Sequence, residues 1–119
     1  MPFREKLAKI VEASPGAIGA VLVDDEGETI DLYTTGDVFE MKLAGAHHGI
    51  VLGIIERALV RGGNGNTLEE VSIRSDRFTF TIAPLQDGIA VVLIQRNNGI
   101  PSMGVKALRD SIPGFYELI

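Results

Sequence analysis

The chain has 119 residues, of which 45% are apolar, enough for one hydrophobic core and too many for a disordered segment. Its net charge of −5 argues against nucleic-acid binding, which needs a basic face, and disfavours an anionic membrane surface. With no cysteine, a disulfide framework, a thiolate nucleophile and a Cys-ligated metal are all excluded.

The amino terminus, Met1-Pro2-Phe3-Arg4-Glu5-Lys6, carries charges where a signal peptide would be apolar. Uninterrupted apolar runs fall far short of the ~20 residues of a membrane span. The expectation is a cytoplasmic protein, not inserted in a membrane, folding as one domain over residues 1–119.

Pro2 suits a first helical position, and Phe3, Leu7, Ile10 and Val11 follow at helical spacing. Ser14-Pro15-Gly16 should stop this helix near Ala13. The run Ala17–Val23 is apolar without alternation and reads as a strand covered on both faces. Asp25-Glu26-Gly27 then turns the chain into an alternating strand, Thr29–Thr34. A long second helix occupies about Asp37 to Arg61, ended by a loop at Gly62-Gly63-Asn64-Gly65-Asn66. Strands at Glu69–Ser75, Phe78–Leu85 and Ile89–Arg96 follow, joined by the short turns Asp76-Arg77 and Gln86-Asp87-Gly88. After Ile100-Pro101-Ser102 a last helix places Met103, Ala107, Leu108 and Ile112 on one side, and Pro113-Gly114 should close it.

The order αββαβββα predicts an α+β fold with one antiparallel five-stranded sheet. The two unalternating strands belong in the middle, which gives the order 2-1-5-4-3. The long helix should cover one face, and the first and last helices the other.

On a helical wheel the second helix has an apolar arc of about 200°, including Leu43, Ile50, Ile54, Leu52 and Met41, where covering a sheet needs about 100°. The surplus predicts a second cover, such as a partner chain. Beside this arc, Gly45, Gly49 and Gly53 recur every four residues, at a helix-propensity cost of about 3 kcal/mol against alanine. The row reads either as a face for close approach of another backbone or as a kink. The strand Glu69–Ser75 should lie at a sheet edge with its outer backbone groups unpaired. Under two-fold symmetry it can pair with its own copy and bring the two long helices together. The expected contact between copies comprises Val71, Ser72, Ile73 and Arg74, with His48 and Leu52 from the helix.

Three stretches in their order and spacing carry a resemblance to a known family. They are Pro15–Asp24 followed directly by Asp25-Glu26-Gly27-Glu28, the small-residue helix Ala44–Leu59, and Ile82–Gly88 running into the apolar strand Ile89–Ile94. The chain resembles the Roadblock (dynein light chain) family, whose bacterial and archaeal members include MglB-like proteins. The resemblance implies a homodimer with paired third strands and second helices side by side. It also implies a regulator or platform for a small Ras-like GTPase, which MglB-like members stimulate without supplying an arginine finger. Carried onto this chain, the GTPase face comprises Lys42, Gly45, Gly49, Gly53, Glu56 and Arg57.

No catalytic residues, cofactor or metal emerge from the remaining candidates. His47 and His48 are adjacent, so on a helix they point about 100° apart and cannot share one metal. Packing at the sheet or between copies is their simpler role, with protonation near pH 6 as a way to weaken such a contact. Asp24-Asp25-Glu26 and Glu28 lack calcium-loop spacing and read as a turn. The glycine-rich 62–66 stretch follows a helix and lacks the Gly-Lys-Ser/Thr ending of a phosphate loop. Two further readings stay open: a small-molecule sensor, which needs an apolar pocket with convergent polar groups, and a structural subunit of a larger assembly without a GTPase.

Overall fold

A computed structural model describes residues 2–62, 65 and 67–119. Helix α1 (Pro2–Glu12) leads into strands β1 (Ala17–Val23) and β2 (Thr29–Thr34), then helix α2 (Val38–Arg61). Strands β3 (Val71–Arg74), β4 (Phe78–Pro84) and β5 (Ala90–Arg96) follow, and helix α3 (Pro101–Leu118) ends the chain. All neighbouring strands are antiparallel, in the order β2-β1-β5-β4-β3, as predicted. The loop expected at 62–66 lies largely outside the described residues.

The absence of alternation in β1 and β5 has a direct structural cause. Ala20, Leu22, Val91 and Leu93 face a core closed by Leu7, Ile10 and Val11 of α1 and Leu108 and Phe115 of α3. Val21, Val23, Val92 and Ile94 face the opposite core, closed by Met41 and Leu52 of α2. Each such side chain, once buried, contributes about 1.5–3 kcal/mol, so both faces of the central strands must be apolar. The fully buried Gln95 is the polar exception on β5. Its Nε2 donates to the carbonyls of Pro15 and Ile100, each at 3.3 Å, tying the sheet to the starts of β1 and α3.

Three expectations are corrected. Helix α3 does not stop at Pro113-Gly114 but continues to Leu118. Proline forfeits one helical hydrogen bond there, and the full burial of Phe115 two residues further on outweighs it. Of the expected side, Ala107, Leu108 and Ile112 do pack on the core, with Gly104 and Phe115 buried beside them, while Met103 is exposed. Strand β3 is also shorter than Glu69–Ser75, because Glu70 turns out to meet α3. Arg109 donates to both Glu70 carboxylate oxygens, from Nε at 2.6 Å and from NH2 at 2.9 Å. This hydrogen bonding and the carboxylate charge raise the Arg109 pKa above its already high value.

Candidate protein-interaction surface

Asp37 starts α2 by accepting the backbone N–H of Glu40 on its Oδ1 at 2.8 Å, a side-chain N-cap. From there the helix crosses β1 with its small residues downward. A Cβ on Gly45 would come within 2.8 Å of Val21 Cγ1 and 3.0 Å of Val23 Cγ1, and one on Gly49 within 3.4 Å of Val23 Cγ2. Gly45 and Gly49 therefore let the helix settle onto its own sheet rather than open a face to another chain, while Gly53 lies beside Arg57. Gly45 is buried and does not lie on the outer surface.

With small residues inward, large ones are left outward. Phe39 is 72% exposed, Ile50 60%, Ile54 55% and Leu43 46%, on one side of one helix. Among exposed side chains such a cluster is unusual, since single exposed apolar residues are ordinary but a continuous stripe marks a contact. By length and apolar content α2 is the one described helix that would qualify to cross a membrane. It is nonetheless seated on the sheet through Met41, Gly45 and Leu52 and carries Glu40, Lys42, Glu56 and Arg57.

The two flanks of α2 meet different neighbours. On one flank Ala46 abuts the β1–β2 turn, where a Cβ on Gly27 would sit 3.3 Å from the Ala46 Cα. Lys42 and Arg57 are exposed, Gly53 is half-buried, and a Cβ on Gly53 would meet the Arg57 guanidinium at 3.4 Å. Glu56 is half-buried and lines a groove with Leu59, Thr67 and Leu68. On the other flank His48 lies flat on Phe80 of β4, with ring centroids 4.1 Å apart and planes inclined by 20°. Leu52, expected between copies, is buried within its own chain. The residues assigned from the sequence to a single face are thus divided among the sheet-facing side and both flanks.

Strand β3 pairs with β4 through Val71↔Ile82 to Arg74↔Thr79 and forms the end of the sheet. Val71 and Ile73 are half-buried on the α2 side, beside Phe78 and Phe80, while Ser72 and Arg74 are exposed. Helix α2 lies over β1, β2 and β5 and reaches β4, so this aromatic end of the sheet is only partly covered. The strand edge of β3, the half-covered phenylalanines and α2 with its exposed stripe share the same face of the sheet. Phe39, Phe78 and Phe80 were not singled out from the sequence. The spacing of Phe39 four residues before Leu43 was an available signal, whereas the incomplete cover over β4 depends on where α2 crosses the sheet.

Among the described residues no group of three or more His, Asp or Glu side chains is placed to hold a metal. The groove between the start of α2 and the sheet, lined by Ile18, Met41, Phe78, Phe80 and Ile94, has a volume of about 160 Å³. That is below the ~300 Å³ of ordinary small-molecule sites, while other surface grooves reach 320–580 Å³.

No family model and no curated protein matches the sequence. Solved structures do match. A Roadblock/LC7 domain from Streptomyces avermitilis superposes with a TM-score of 0.78 at 16% identity, over 95% of this chain and 96% of that one. The chain thus has the Roadblock fold. Within that class it is similar to MglC from Myxococcus xanthus, with a TM-score of 0.73, 23% identity and complete coverage of both chains. It is also similar to Myxococcus xanthus MglB, with a TM-score of 0.77 at 12% identity, again over both whole chains. At these identities the likeness is one of fold, of the MglB type.

Proposed function

We propose that the protein is a homodimeric, non-catalytic adaptor or regulator that binds a small Ras-like GTPase. The observation that carries this reading is the stripe Phe39, Leu43, Ile50 and Ile54, left exposed beside a sheet edge with no pairing partner. Roughly two apolar contacts are implied on one side of the molecule. Pairing of β3 with its copy joins two sheets, completes the cover over Phe78 and Phe80, and brings two α2 helices near each other. The outward sides of those helices then form a broad apolar surface rimmed by Lys42, Arg57 and Arg61, suited to a protein partner rather than a small ligand.

The Roadblock fold supports this reading, and the GTPase as partner follows from the resemblance to MglB-like regulators. Stimulation of GTP hydrolysis would act by positioning the partner's own residues. The protein works in the cytoplasm and needs no cofactor. The test is a pull-down with the tagged protein from its native lysate, in a GTP analogue and in GDP. Recovery of a small P-loop GTPase in one nucleotide state only is the expected result, and a protein that captures no GTPase in either state contradicts the reading.

A further inference from the structure

On the face of the molecule opposite α2, helices α1 and α3 lie side by side and leave a groove between them of about 320 Å³. Its floor is made of Ile10, Ala13, Ala107 and Gly114, and one wall carries Lys6 and Lys9. The two lysines are three residues apart on α1, so they project from the same side about one turn from each other. Among the described residues neither makes an ion pair or a side-chain hydrogen bond, although Lys6 is half-buried. The acid on the groove, Asp110, is already engaged by Lys106 at 2.7 Å. Gly114 keeps the groove open along Lys6, since a Cβ there would come within 2.7 Å of the Lys6 ammonium.

Unpaired ammonium groups beside an apolar floor are completed by an anion whose other groups cover that floor. Here the half-buried Lys6 and the exposed Lys9 stand together at such a floor, on a chain whose net charge is −5. We propose that the α1–α3 groove is a docking site for an acidic, extended peptide segment of a partner protein. In an extended chain alternate side chains point to opposite sides, so carboxylates at every second position reach the lysine wall while the residues between them lie on the floor. A free phosphate would leave that floor uncovered. A membrane surface is flat where this site is concave. The site is remote from the α2 face, so the inference is independent of the function proposed above.

The test uses the full chain and a fluorescein-labelled peptide of alternating glutamate and valine, followed by fluorescence anisotropy at low ionic strength. The expected result is saturable binding that weakens by about tenfold or more in the double variant K6E/K9E. R77E/R96E makes the same change of net charge at exposed positions outside the groove and should bind as the unaltered protein does. Ala107→Phe fills the floor without changing charge and should also weaken binding, with thermal melting confirming that each variant is folded. Absence of saturable binding overturns the proposal, as does equal weakening by R77E/R96E. Retention on phosphatidylserine vesicles that depends on Lys6 and Lys9, without peptide binding, overturns it in favour of a lipid surface.

Discussion

His48 is stacked on Phe80 at a centroid distance of 4.1 Å, and its Nδ1 donates to the Ala44 carbonyl at 2.7 Å. The ring is thus held by its own helix and pressed on the sheet next to the edge strand. It couples the position of α2 to the aromatic end of the sheet. His48→Ala should lower stability by about 1–2 kcal/mol, from the stack and the hydrogen bond together. His48→Phe keeps the stack and should lose less. Urea unfolding of the two variants checks the order.

The inward glycines give opposite expectations along one helix. Gly45→Leu forces a side chain into Val21 and should destabilise by about 1–3 kcal/mol as α2 lifts from β1. Gly53→Ala meets only the movable Arg57 guanidinium and should stabilise by up to about 1 kcal/mol. Thermal unfolding of both variants separates a packing role from a kink, since a kink would make both substitutions harmful.

Phe115 anchors the part of α3 that lies beyond Pro113. Phe115→Ala should destabilise by about 3–5 kcal/mol, the range for emptying a buried aromatic site. A loss of less than 1 kcal/mol on the same scale would mean that the last turns of α3 are not part of the core.

Much of the fold was legible because local pattern and tertiary role agree. Ala17–Val23 lacks alternation since α1 and α2 cover its two faces. The alternation read in Thr29–Thr34 does not hold, because a bulge opposite Leu22 and Val23 turns Ile30 with Tyr33 to the α1–α3 core and leaves Leu32 on the α2 core. Pro113-Gly114 misled because burial of Phe115 overrides a local stop signal. The candidate site was less legible. Excess apolar surface on α2 was visible on a wheel, but not which side faces the sheet. The close approach to Val21 and Val23 is made by Gly45 and Gly49, with Met41 and Leu52 packed beside them and Phe39, Leu43, Ile50 and Ile54 left outside. That choice moves Gly45 and Leu52 from the expected contact surface into the chain's own interior.

The exposed stripe separates association from folding. Ile50→Glu combined with Ile54→Glu changes two exposed side chains, so the melting temperature should shift by no more than a few degrees. GTPase capture should nevertheless be lost. Retention of capture by this double variant would place the partner elsewhere on the molecule.

Sedimentation equilibrium of the unaltered protein and of Ile73→Lys tests the central claim, that the β3 edge and the α2 surface are completed by a second copy. The account predicts twice the chain mass for the unaltered protein and a single chain mass for Ile73→Lys, with its circular dichroism still native. An unaltered protein that sediments as one chain at every concentration, or a folded Ile73→Lys that stays fully dimeric, would contradict it.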